Sequence, residues 1–167
     1  MNHPTTVRRS VFQPMLISLL MVASSILLSA CAGAPPPPEP TTLDMQISAS
    51  VDVNPDMQGR PSPIILHIIE LNSTEQFNRL DYMSLTQPTG AALGPELLGK
   101  NQLVLQPGNS QALPMELNPQ TTAIGLVAGY RDIDNATWRT SIPITQGTSQ
   151  GISITLEQQQ ILTSVSN

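Results

Sequence analysis

Cysteine is almost absent from this chain: Cys31 is the only one in 167 residues, so no disulfide can form within it. Histidine is nearly as scarce, with His3 and His67 alone. A structural zinc site draws four ligands mainly from these two residue types, and the chain cannot supply them. A Ser-His or Cys-His catalytic pair needs an imidazole beside the nucleophile, and only His67 lies in the body of the chain. That residue sits inside an apolar run, where a satisfied or partly exposed strand histidine is expected. No glycine-rich phosphate loop is present. Basic residues number seven against twelve acidic ones, a balance that repels nucleic acid and anionic headgroups. Aromatic residues make up 3% of the chain, which disfavours, without excluding, a sugar-stacking platform or an aromatic cage. Phe77 and Tyr82 are expected to seat a helix on a sheet, and Trp138 to belong to the core or cover one end of it.

One apolar stretch runs from Met15 to Leu28, broken only by Ser18, Ser24 and Ser25. It is short of the about 20 apolar residues that a membrane-spanning helix requires. Arg8 and Arg9 precede it, and the small residues Ser29 and Ala30 follow. Basic, apolar, small is the order of a secretory signal peptide, here residues 1–30. With Cys31 directly after Leu28-Ser29-Ala30, the segment resembles the lipobox of bacterial lipoproteins. That resemblance implies a diacylglyceryl group on the Cys31 sulfur, cleavage before it, and acylation of the new amine. No other cofactor is implied. Stable anchoring takes at least two lipid signals, which a triacylated cysteine exceeds. Ala32 stands where an aspartate commonly retains such proteins in the inner membrane, so the resemblance places this one in the outer membrane, facing the periplasm. Loss of the signal leaves five basic groups against twelve acidic ones.

Residues 31–42 form a tether in this reading. Pro35, Pro36, Pro37, Pro38 and Pro40 favour an extended polyproline II rod, roughly 30 Å long at about 3.1 Å per residue. Residues 43–167 then suit one domain. Leu43, Met45, Ile47, Ala49, Val51 and Val53 alternate with polar residues, which predicts a strand over Leu43 to Val53 with one dry face. Asn54-Pro55-Asp56-Met57-Gln58-Gly59-Arg60-Pro61-Ser62-Pro63 is a loop, because three prolines and a glycine interrupt any ladder. Ile64 to Leu71 is apolar on both faces and reads as a covered central strand. Ser73 and Gln76 suggest a capping box, with Phe77, Leu80 and Met83 on one helical face and Leu85 near the end. A second short helix is predicted over Ala91 to Leu98. Strands are predicted over Asn101 to Gln106, Ala112 to Leu117, Ala123 to Tyr130, Trp138 to Ile144 and Gly151 to Leu156, with turns at Pro107-Gly108, Asn118-Pro119 and Gly147. Gly125 and Gly129 leave space on one face for a ring such as Phe77 or Trp138. The sum is a mainly β, two-sheet sandwich with a short helical insertion between the second and third strands.

Asp132 and Asp134 flank Ile133 and could in principle divide acid and base roles. Turn capping, with Arg131 and Arg139 as counter-charges, is the preferred reading.

Several motifs fall in order along the chain. They are Asp52-Val53-Asn54-Pro55-Asp56, Gly59-Arg60-Pro61-Ser62-Pro63, Glu70-Leu71, Phe77 with Asp81-Tyr82, and Leu93-Gly94 with Glu96-Leu97-Leu98. Leu105 with Pro107-Gly108, the run from Ile124 to Ile133, and Trp138-Arg139 complete the set. With the lipobox, they resemble the TssJ family, outer-membrane lipoproteins of the bacterial type VI secretion system. The resemblance implies a transthyretin-like sandwich without catalytic activity. It implies docking of the periplasmic C-terminal domain of the inner-membrane TssM (IcmF-like) protein, within a multi-subunit, ring-like membrane complex. It also implies that the loop from Asn54 to Pro63 is the partner contact. Family members usually carry a basic residue where His67 stands. Two other classes stay open at this point: a lipoprotein binding a small ligand between its sheets, and a hydrolase on the same scaffold.

Overall fold

The computed structural model describes residues 39–166. The signal peptide, Cys31 and most of the proline-rich tether lie outside the described residues.

Among these residues, eight strands form two four-stranded sheets. They are β1 (Thr42–Ala49), β2 (Ile64–Leu71), β3 (Leu97–Leu105), β4 (Ser110–Glu116), β5 (Ala123–Ala128), β6 (Arg139–Pro143), β7 (Ser149–Leu156) and β8 (Ile161–Ser166). The first sheet has the order β4-β1-β7-β8 and the second β3-β2-β5-β6. Every pairing is antiparallel except β1 with β7. Between β2 and β3 lie α1 (Glu75–Arg79), α2 (Tyr82–Thr86) and a 3-10 helix over Ala91–Glu96. This is the expected two-sheet sandwich with its helical insertion.

The alternation of β1 sends Leu43, Met45 and Ile47 into the space between the sheets. There they meet Ile64, Leu66 and Ile68 of β2, Ile124 and Leu126 of β5, and Ile152, Ile154 and Leu156 of β7. The opposite face of the second sheet is buried as well. Ile69 and Leu71 of β2 and Ala123 and Val127 of β5 pack under Phe77, Leu85 and Leu93 of the insertion. Two dry faces explain why β2 and β5 read as continuous apolar runs.

Several boundaries differ from the sequence expectation. β1 stops at Ala49, four residues before Val53. The Gly108 amide closes on the carbonyls of Ala49 and Ser50, and Val53 donates back to Ser50 in a turn. The single helix over Phe77 to Leu85 is two short helices. Leu80 is extended between them, and the Asp81 carboxylate starts the second by accepting from the Ser84 amide at 2.8 Å. Met83 is therefore exposed rather than on the packed face. The Ser73–Gln76 capping box does not form. Ser73 Oγ accepts from the Glu75 amide, and the Gln76 amide instead donates to Glu96 Oε2 at 2.9 Å. Ala91 to Leu98 does not hold one helix: Gly94 breaks the geometry with φ 53°, and Leu97 and Leu98 already belong to β3. β8 has no counterpart in the sequence reading.

Gly125 faces Phe77: a Cβ there would stand 2.6 and 2.8 Å from two ring carbons. Gly129 lies just past β5 and faces the Tyr82 hydroxyl instead. Trp138 is half-buried, edge-on to Tyr82 at 5.6 Å, and touches both apolar clusters. Arg139 stands beside it and donates to the Phe77 and Leu80 carbonyls at 2.9 and 2.7 Å. The guanidinium thus closes the end of α1, where unpaired carbonyls favour a cation.

Candidate functional site

The chain enters β1 at Thr42 and leaves it for the loop of residues 54–63. Eight residues of strand, about 26 Å at about 3.3 Å each, separate the two ends. The loop therefore lies at the far end of the sandwich from the point of entry.

Asn54 fixes its first corner. It is buried and holds a left-handed φ of 50°, a conformation asparagine tolerates better than most residues. Its amide nitrogen Nδ2 donates to the Pro63 carbonyl at 2.8 Å, closing the base of the loop. Its Oδ1 accepts from the Arg131 backbone amide at 2.7 Å, and its own backbone amide donates to the Gln158 carbonyl. One residue, through two side-chain bonds and one backbone bond, thus ties three segments together.

Asp56 organises the tip. Its Oδ1 accepts from the backbone amides of Gln58 and Arg60, at 2.9 and 3.0 Å. Its Oδ2 accepts from Arg60 Nε at 2.8 Å and Arg60 NH2 at 2.7 Å. The Arg60 side-chain hydrogen bond is the main reason that the Asp56 carboxyl is held down to about 2. Gly59, with φ 73°, donates to the Asp56 carbonyl and completes the turn. Arg60 is thereby engaged inside the loop, while the Asp52 carboxylate accepts from the Ser50 hydroxyl. Met57 is 98% exposed at the apex, with no apolar neighbour covering it.

Two further segments stand beside the loop. Tyr130 Oη donates to the Gln160 carbonyl at 2.7 Å, and Thr137 bridges to Gln160. These contacts hold the Glu157–Gln160 turn against the segment that follows β5. Between them and the loop runs an open groove of about 740 Å³, lined by Met57, Arg60, Arg131, Asp132 and Gln159 among others. Sequence reasoning had the loop but not the groove's other wall, because the turn at 157–160 contains neither glycine nor proline.

Asp132 accepts from Asn135 and Gln159, not from Arg131, and Arg139 is occupied by helix carbonyls, so the expected counter-charges are not used. His67 is buried, not satisfied, since its Nδ1 has no partner, and burial pushes its pKa below the usual value. Among the described residues no three His, Cys, Asp or Glu side chains converge as metal ligands would.

The family described as type VI secretion lipoprotein, VasD, EvfM, TssJ, matches residues 41–159. The crystal structure of the T6SS lipoprotein TssJ1 from Pseudomonas aeruginosa is similar, with a TM-score of 0.74 and 32% identity over 77% of this chain and 98% of that one. Serratia marcescens Lip, a membrane-bound component of the type VI secretion system, gives 0.69 and 24% over 74% and 96%. A chain in the structure of the T6SS protein TssM C-terminal domain from EAEC gives 0.61 and 24% over 74% and 97%. The last two likenesses show the fold. No curated protein sequence gives a match. With its family match running from β1 through β7 and TssJ1 aligning over nearly its full length, the chain belongs to the TssJ family of type VI secretion lipoproteins.

Proposed function

We propose that this lipoprotein ties a type VI secretion trans-envelope complex to the outer membrane. Lipid on Cys31 holds one end, and the sandwich presents the 54–63 loop to the periplasm. The loop docks the periplasmic C-terminal domain of an inner-membrane TssM-like protein. The protein acts by binding, and no residue takes a catalytic role.

The observation that carries this reading is the contrast within the loop. Asn54 and the Asp56–Arg60 pair fix its backbone, while Met57 stays 98% exposed. A fixed loop loses little entropy on docking, and an uncovered thioether suits an irregular apolar pocket. Ligand binding between the sheets has no comparable support, because that space is filled by Met45, Leu66, Leu126 and Ile154.

The test is Met57→Asp, with binding to the TssM periplasmic domain followed by calorimetry. Affinity is expected to fall at least about tenfold with the melting temperature unchanged, since an exposed side chain contributes little to the core. Unchanged affinity would remove the loop from the interface.

A further inference from the structure

We infer that Arg131 forms the second half of the docking surface, gripping a carboxylate on a partner polypeptide that lies in the groove against Met57. This rests on the docking reading above and adds the chemistry of the partner segment.

The sandwich carries five basic side chains: Arg60, Arg79, Lys100, Arg131 and Arg139. Four are engaged by their own chain. Arg60 pairs with Asp56 and Arg79 with Glu75. Lys100 Nζ donates to the carbonyls of Leu85 and Gln87, and Arg139 to those of Phe77 and Leu80. Among the described residues the Arg131 guanidinium alone has neither an ion pair nor a hydrogen bond. Its sequence neighbour Asp132 lines the same groove and keeps its charge, but makes no ion pair with it: that carboxylate accepts from the neutral amides of Asn135 and Gln159.

Position matters as much as availability. Arg131 lines the groove that Met57 also lines. Its backbone is held by Asn54 Oδ1 at 2.7 Å, and the preceding Tyr130 by the Gln160 carbonyl. The base of the side chain is thus fixed while its head is exposed. A guanidinium offers paired donors that match a carboxylate in two parallel hydrogen bonds. Of the two carboxylates in the groove, Asp56 is paired with Arg60 and Asp132 repels a second carboxylate, so the one unpaired cation sets where an acidic side chain can land, and hence the register of docking. The partner segment should carry an Asp or Glu next to an apolar residue, the first for Arg131 and the second for Met57.

The experiment uses the detergent-solubilised full-length protein, with the cognate TssM periplasmic domain as probe, measured at low and high salt. Arg131→Gln is expected to weaken binding about tenfold and flatten its salt dependence. Arg131→Lys should recover only part of the loss, and Arg79→Gln, outside the groove, should leave binding unchanged. Arg131→Glu should be rescued by a single Asp or Glu to Lys change on the partner. If Met57→Asp abolishes binding while Arg131→Gln is neutral, this inference falls and the docking reading stands. If neither change matters, or if the parent protein does not bind, both fall. Arg131-dependent sedimentation with phosphatidylglycerol vesicles, without loss of partner affinity in Arg131→Gln, would assign the cation to a lipid headgroup and overturn the proposal.

Discussion

The Asn54 side-chain oxygen accepts the Arg131 backbone amide at 2.7 Å across 77 residues of sequence. Asn54→Ala removes this bond and the one to Pro63, and leaves a residue with a Cβ in the left-handed region. The expected loss is about 2–4 kcal/mol by urea unfolding, two hydrogen bonds plus about 1 kcal/mol of backbone cost. Asn54→Gly, which has no such backbone cost, should be less damaging than Asn54→Ala. Equal losses would show that the φ of 50° stores no strain.

Asp56 should titrate near 2 in a carbon-detected NMR experiment. Its folded pKa is depressed, so the order it gives the loop is fully present above about pH 4 and is lost as the pH falls towards 2. Between pH 5 and 8 the amide shifts of Gln58 and Arg60 should be flat. Arg60→Gln should return the midpoint towards 3.8, because the Arg60 side chain is the largest cause of the shift. A midpoint that stays near 2 would transfer the cause to the backbone amides.

Gly125→Ala should cost about 1–3 kcal/mol, since the new methyl would sit within 3 Å of the Phe77 ring. At Gly129 the obstacle is the end of the Tyr82 side chain, which has more room to turn, so Gly129→Ala should cost less. A reversed order would mean that the helical insertion yields more readily than the end of β5.

Arg139→Ala should lower stability by about 1.5–3 kcal/mol, through loss of two charged hydrogen bonds to the Phe77 and Leu80 carbonyls. Its guanidinium also lies 4.8 Å from the centre of the Trp138 ring. Trp138 is the sole tryptophan, so its emission reports this junction directly. A red shift before the main unfolding transition is expected as the insertion loosens; an unchanged spectrum and melting curve would show that apolar packing alone seats the helices.

Cys31→Ser should leave the sandwich folded and release it from the membrane fraction, because the anchor in this reading is lipid and the rest of the surface is acidic. A variant that still partitioned into the outer membrane would require another anchor.

The strands with two buried faces were the most legible parts of the sequence. Ile64–Leu71 runs where its apolar stretch runs, and of the two rings expected against Gly125 and Gly129, Phe77 meets Gly125 while Gly129 meets Tyr82. Alternation misled at Val51 and Val53, where the period of two continues but the ladder partner is gone, replaced by the turn at Gly108. β8 escaped because Ile161–Ser166 follows glutamines rather than turn residues and is exposed along most of its length. The capping carboxylate of Glu96 lies 20 residues from the amide it serves, a distance no local motif spans. The same limit applies at the loop. Its prolines announced rigidity, but the Asn54 bonds to Arg131 and Gln158 join segments separated in sequence.

β1 lies between β4 and β7, and its parallel partner β7 begins at Ser149. Ser48 and Thr155, which touch across that pair, are 107 residues apart. A ribosome makes the first strand long before its second neighbour, and closing so long a loop delays the native pairing. Until Ser149 and the residues after it are made, the first sheet has only β4 and β1 and cannot close over the core. The order of the strands thus favours a slow-maturing nascent polypeptide, whose first sheet closes only when its final residues have been made.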